Sequence, residues 1–389
     1  MTAETISSRF ADLFGQQAVI CRAPARMNII GEHTDYNEGF VMPSTVDLFT
    51  WAAMAPRDDR MLKVHFCHEN RTHELDLEDL TKGEEGQAIE YLKGVAWALK
   101  EAGQRPRACN LVIGGNIPIG GGLSSSASLE LAAALALTAP PETDAERSGL
   151  ARICQRAESE YVGVQCGIMD QYAISLGVSG HAMMLDCRTL EYEHVRLPEK
   201  AVFIIAHSGV SHRLPAGEYN SRRDECDQAA ARLRGAIPEL ESLRDLSLKE
   251  LEMNRDRLGD LLFRRCRHVV TENCRVRQAC EAVKSDELGR LGSLMQDSHR
   301  SLRDDYEVSC PELDSLVEIA GACEGVHGSR MMGAGFGGCT ISLASPAAAA
   351  PAVDRIRREY GRVSGREPWM HVVGTAGPAS RIGDERKYE

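Results

Sequence analysis

Between a β-leaning run, Cys109 to Ile113, and an alanine- and leucine-rich stretch, the chain reads Pro118-Ile119-Gly120-Gly121-Gly122-Leu123-Ser124-Ser125-Ser126-Ala127. Three consecutive glycines let backbone N–H groups approach a ligand with no Cβ in the way. Ser124 to Ser126 stand where they can cap the helix that begins there. A helix N-terminus with free N–H groups and its dipole attracts an anion such as phosphate. A short Gly-Ser cluster by itself is an ordinary turn; the immediate succession of strand, glycine turn and capped helix raises the anion reading above that default. The lysine of the G-x-x-x-x-G-K-[ST] loop is absent, so charge neutralisation has to come from elsewhere. Mg²⁺ held by a hydroxyl and a carboxylate would supply it, with Glu158 on a later helix a partner for Ser126. A lone glutamate such as Glu158 is otherwise read as a solvated helix residue.

At 389 residues the chain has room for two domains. Strands are expected at 18–22, 40–55, 62–67 and 109–113, and helices over 87–102 and about 144–161. Three closely spaced strands, 181–187, 192–197 and 201–207, lead to a pattern that turns helical after Leu214, through 218–233, 260–283, 288–303 and 311–322. A strand at 339–343, a helix at 350–360 and a strand at 370–373 close an α+β chain. The domain change is expected between Asp186 and Ala201.

A formal charge of -12, with basic residues scattered in short groups, argues against nucleic acid as a partner. Thirteen cysteines without a C-x-x-C pair fit a reduced, cytoplasmic protein. Met1 to Phe10 lacks an apolar h-region, and Leu129 to Ala139 is too short to span a bilayer and carries Glu130, so neither a secretory signal nor a membrane segment is expected.

Two further clusters carry chemistry. Arg26 to Asn37 sets Glu32, His33 and Asp35 within four residues of each other, after Gly31. Carboxylates and an imidazole suit neighbouring sugar hydroxyls; a metal site and a solvated loop are the competing readings. Gly333 to Gly338 satisfies G-x-G-x-x-G, but a strand and not a helix follows, which argues against a dinucleotide fingerprint. It is read as a tight turn bringing backbone to a cleft, with a purely structural turn equally weighted. Asp170 stands where a helix N-cap is expected, before Gln171-Tyr172-Ala173.

Taken together, these segments resemble the galactokinases of the GHMP small-molecule kinase superfamily. Arg26 to Tyr36 is similar to the family signature G-R-x-N-[L/I]-I-G-E-H-x-D-Y, and Pro118 to Ala127 to its phosphate loop P-x-G-x-G-L-S-S-S-A. Cys166 to Gln171 resembles the catalytic-aspartate motif, Gly217-Glu218-Tyr219 with Arg222-Arg223 a later sugar-site motif, and Met332 to Gly338 the C-terminal glycine motif. Ala25 departs from the usual glycine, Ala88 from a frequent tryptophan, and His207-Ser208-Gly209 from an asparagine-containing stretch.

The resemblance implies a two-domain α+β architecture. Residues 1–190 would form an N-terminal domain like ribosomal protein S5 domain 2, and residues 191–389 a ferredoxin-like C-terminal domain. It implies ATP-dependent phosphorylation of the anomeric hydroxyl of galactose, with Asp170 as base and Arg26 beside it stabilising the transferring phosphoryl group. Glu32, His33, Thr34, Asp35, Gly167 and Tyr219 would bind the sugar. Gly120, Gly121, Gly122, Leu123, Ser124, Ser125 and Ser126 would surround the ATP phosphates, and Ser126 with Glu158 would hold Mg²⁺. A small-molecule sugar and ATP would be the partners of a monomer or weak homo-oligomer. A sister 1-kinase acting on N-acetylgalactosamine or arabinose, and a non-catalytic galactose-binding regulator, are the other readings.

Overall fold

The computed structural model describes residues 1–84, 86–210 and 215–382. In the N-terminal half, helix α1 (Ala3–Phe14) precedes strands β1 (Val19–Asn28), β2 (Phe40–Val41), β3 (Pro43–Pro56), β4 (Met61–Phe66) and β5 (Arg71–Asp76). Then come α2 (Ala88–Glu101), β6 (Cys109–Gly115), α3 (Ser125–Leu137), α4 (Asp144–Arg156), α5 (Met169–Leu176), β7 (His181–Asp186) and β8 (Tyr192–Arg196). The C-terminal half holds β9 (Val202–His207), α6 (Pro215–Arg234), α7 (Leu248–Met253), α8 (Arg255–Lys284), α9 (Leu288–Asp304) and α10 (Pro311–Gly321). It ends with β10 (Val326–Met332), β11 (Cys339–Ala344), α11 (Pro346–Ser364), β12 (Trp369–Val373) and β13 (Ser380–Arg381). Leu214, from which the helical pattern was expected, lies outside the described residues.

Three sheets result, in the orders β13-β1-β3-β6-β4-β5, β10-β11-β9-β12 and β2-β7-β8. The first alternates apolar and polar positions poorly because both faces are covered: α1 packs on β3 and β6 on one side through Ile6 and Phe10, and on the other α3 is buried on nearly every side, against β1, β3, α2, α4 and α5. A helix apolar all round belongs in a core, so its single acid, Glu130, is fully buried. The second sheet packs on α9, α10 and α11. Chain order does not keep the halves apart. After β12 the tail returns to the first sheet, where β13 pairs with β1, the Thr45 hydroxyl donates to the Ala376 carbonyl at 2.5 Å, and Arg147 donates to the Ala379 carbonyl at 2.9 Å.

Two local departures from regularity aim side chains at one place. The β1–β3 register shifts between Pro24 and Ala25, immediately before Arg26. An irregularity of this kind re-aims the residues that follow it. Helix α4 runs on into a turn of π-helix, Ala157–Val162, that carries Glu158; such turns concentrate at functional sites because they shift a side chain off the helical register. Among the described residues no helix is long and apolar enough to cross a membrane.

Candidate active site

Gly120 to Ser124 link β6 to α3, and the glycine-rich turn Gly333 to Gly338 packs directly behind them. Gly122 has φ +71°, and a Cβ there would lie 2.7 Å from the Met332 carbonyl oxygen. One on Gly333, at φ +83°, would lie 2.7 Å from the Gly122 Cα. The contact is backbone on backbone and leaves no space for a methyl group, which gives the second glycine cluster its role as the rear wall of the first. The serines do not cap α3 as expected. Ser124 adopts left-handed geometry (φ 58°, ψ 47°) and makes no capping bond; its hydroxyl instead donates to Asp170 Oδ2. The first N–H groups of α3 are therefore left without an intrahelical partner.

Asp170 is not the N-cap of α5 either. Ile168 holds that position, and Asp170 lies in the first turn. Arg26 grips it with a two-pronged fork, Nε to Oδ1 at 2.8 Å and Nη2 to Oδ2 at 2.9 Å, while Nη1 donates to the Gly122 carbonyl at 2.6 Å. One guanidinium thus ties the carboxylate to the glycine loop. Charge-assisted bidentate pairs of this kind fix orientation as well as energy. Arg26 is buried, whereas Asp170 keeps a quarter of its side chain open.

The loop after β1 meets this pair from the other side. Gly167 lies against Asp35 so closely that a Cβ would fall 2.1 Å from Asp35 Oδ2. Tyr219 packs on His33 and Tyr36, with ring centroids 5.6 and 5.3 Å apart. His33 has both nitrogens engaged, with the Tyr36 hydroxyl at 2.8 Å and the Ala334 carbonyl at 3.2 Å. A carbonyl only accepts, so Nε2 carries the hydrogen. Burial holds the ring neutral, its pKa pushed down to about 3, so Nδ1 accepts from Tyr36. The direction then runs on: Tyr306 donates to Tyr36 at 2.8 Å, and the Cys226 thiol to Tyr306 at 3.1 Å. Thr34 is engaged too, with its hydroxyl toward the Gly31 and Phe40 carbonyls. Glu32 is buried, held by Asn28, Gly333 and Arg330.

Burial, and then the charge of Asp170, push the Asp35 carboxyl up to about 7. From near pH 4 to near pH 7 the folded protein keeps this proton while the unfolded chain releases it, so Asp35 costs stability progressively as pH rises through that window. Asp35→Asn is therefore expected to raise the thermal midpoint of the ligand-free protein at pH 8 and to leave it unchanged at pH 4. The gain is on the order of 1–2 kcal/mol, below the full displacement because Asp35 is only half-buried. Equal midpoints at pH 8 would show that Asp35 carries no such penalty.

Ser126 and Glu158 also meet, the hydroxyl donating to the carboxylate. Gln171 bridges Glu158 and Glu130, its Nε2 donating at 2.8 and 3.1 Å. Burial, then the Asp170 charge, push Glu158 up to about 7; burial and Glu158 push Glu130 well above the carboxylate range. Among the described residues, Glu158 and Glu130 are joined by an amide and not by a cation, beside the N-terminus of α3. Gln171, Arg330, Tyr306 and the Ser124 contact escaped the sequence reading. Only Glu130 had a local signal, a single acid in an apolar helix.

Residues 8–56 match the galactokinase galactose-binding signature, 90–178 the GHMP kinases N terminal domain and 276–362 the GHMP kinases C terminal domain. The chain is 42% identical to a galactokinase of Chloroflexus aurantiacus over 340 residues, 87% of each chain, and 38% identical to one of Roseiflexus sp. over 385 residues, 98% of each. The crystal structure of Lactococcus lactis galactokinase complexed with galactose superposes with a TM-score of 0.92 at 35% identity, covering 97% of this chain and 99% of that one. The Methanococcus jannaschii mevalonate kinase, at TM-score 0.65 and 17% identity, shares the fold.

Proposed function

This chain belongs to the galactokinase family of the GHMP kinases, and from that premise we propose that it transfers the γ-phosphoryl group of ATP to the anomeric hydroxyl of galactose with Asp170 as base. The observation that carries the reading is the Arg26 fork, which joins Asp170 to the carbonyl of Gly122 in the glycine loop. Phosphoryl transfer needs positioning and charge stabilisation more than covalent chemistry. The N–H groups of the glycine loop and of the first turn of α3, Gly120 to Ser126, surround the ATP phosphates. The sugar lies between Glu32, Asp35, the Gly167 backbone and Tyr219. His33 and Thr34, whose polar atoms are already engaged, shape its loop. Asp170 Oδ1 or Oδ2 accepts the anomeric proton, and Arg26 faces the charge that develops on the phosphoryl oxygens.

Ser126 and Glu158 suit Mg²⁺: two oxygen donors, one of them a carboxylate that accepts from Ser126 and Gln171, adjoin the phosphate loop. When bound, the ion supplies positive charge to the β- and γ-phosphates. Thirteen free thiols support a reducing, cytoplasmic setting, and we take the protein to act as a monomer or weak homo-oligomer.

ADP release measured across galactose, N-acetylgalactosamine, arabinose, glucose and mevalonate tests the reading. Galactose is expected to give the highest kcat/KM. Turnover of another acceptor alone would replace the substrate, and binding of galactose and ATP without ADP release would replace catalysis by a regulatory role. Gly167→Ala provides a second check. Its methyl group displaces the Asp35 carboxylate, so KM for galactose should rise by about 10–100-fold, the loss of one or two hydrogen bonds to a charged group. KM for ATP should stay within about threefold, well short of that change. An unchanged galactose KM would remove Gly167 and Asp35 from the pocket.

A further inference from the structure

Arg330 is fully buried on β10, in the C-terminal sheet, yet its side chain reaches across to hydrogen-bond the N-terminal sugar loop. Its Nη1 donates to the Asn28 and Ile29 carbonyls, each at 3.0 Å, and its Nη2 to Glu32 Oε2. Glu32 also accepts from Asn28 Nδ2 at 2.8 Å, on the same oxygen, and from the Gly333 N–H at 3.0 Å on Oε1. A carboxylate offers about four acceptor directions, and three are filled by donors fixed in the core.

We propose that Arg330 is a positioning residue for the sugar pocket: it fixes the orientation of Glu32 so that a single acceptor direction is left for a sugar hydroxyl. The inference rests on Glu32 as a sugar ligand. The neighbouring backbone is held just as firmly, because Gly31 N–H donates to Glu272 Oε1 at 3.0 Å and His268 Nε2 donates to the Glu32 carbonyl at 3.1 Å. Freedom in this segment therefore resides in the Glu32 side chain, and Arg330 is the only charged group among the three donors that restrain it. A lysine would keep the charge but could not span two carbonyls and a carboxylate at once, since only the guanidinium presents a rigid planar fork. A pocket with one directed, buried acceptor rejects a sugar lacking the matching hydroxyl, because the acceptor is then left unpaired.

The test compares E32Q, R330K and R330K/E32Q by galactose KM, ATP KM and kcat, with calorimetric titration of galactose into the ATP-free protein. E32Q and R330K should each weaken galactose on the order of 10–100-fold, the effect of one charged hydrogen bond, with ATP KM little changed. The double variant should be no weaker than E32Q alone, because Arg330 acts through Glu32. Losses that multiply in the double variant would make Arg330 a general structural residue and overturn the proposal. An E32Q loss with R330K unaffected would overturn it while leaving the sugar site intact, whereas an unchanged E32Q would overturn the sugar-site reading itself. If R330K does not fold, R330M/E32Q, with both charges removed, takes its place: a further loss relative to E32Q again overturns the proposal.

Discussion

Asp170→Asn is expected to yield a folded protein whose kcat with galactose and ATP falls about 10²–10⁴-fold, the range for loss of a positioned base. The substitution keeps the size and one acceptor oxygen. Arg26 retains the Gly122 carbonyl, so the fork is weakened and the loop stays in place. What is lost is an acceptor basic enough to take the anomeric proton. The residual rate reflects the phosphate loop and the guanidinium, which still orient and stabilise. Circular dichroism and a thermal midpoint near that of the parent establish folding, and initial rates at saturating substrate give kcat. A kcat within about threefold of the parent, far from the expected range, would remove Asp170 from the chemistry.

Arg26→Met should be nearly as damaging, about 10²–10³-fold in kcat, the cost of removing one preorganised donor from developing charge. Two effects contribute. The phosphoryl group loses a cation, and Asp170 loses the fork that fixes its orientation while keeping the Ser124 hydroxyl. The two residues act as one unit, so the double variant Arg26→Met/Asp170→Asn should be little slower than the slower single variant. Multiplicative losses would mean that Arg26 and Asp170 act in separate steps. Because Arg26 is buried and donates to the backbone of the loop, some loss of stability should accompany the substitution.

The parts of the site legible in the sequence are those whose meaning is local. Gly120 to Gly122 can be read locally as an anion-binding turn and Glu32 to Asp35 as a sugar or metal segment, whereas the roles of these residues and of Asp170 come from the resemblance of whole motifs. The strand-turn-helix order around the loop was legible for the same reason. Four features were not. Helix α1 buries Ile6 and Phe10 at helical spacing behind a Thr2 capping box, but the polar residues between them mask the amphipathic pattern. Strand β5 buries only Leu75, so as an edge strand it shows no alternation. The serines of the loop were assigned to capping by residue type, yet their use depends on a left-handed backbone at Ser124 that residue type does not announce. Contacts such as Arg330 to Glu32 or Tyr306 to Tyr36 join positions 298 and 270 residues apart, and only the topology brings them together.

The returning tail has a consequence for how the protein is made. Strand β1, which carries Arg26 and Asn28, lies at the edge of its sheet until Ser380–Arg381 pairs with it. Some 180 residues separate the end of β8 from the first tail contact at Thr375, which at ribosomal rates of about 5–20 residues per second is a wait of roughly 10–40 s. Throughout that interval the nascent N-terminal half presents an unpaired strand, the kind of edge on which chains associate wrongly. The strand bearing Arg26 thus gains its last neighbour only once the C-terminal half has been made, not on completion of the N-terminal half.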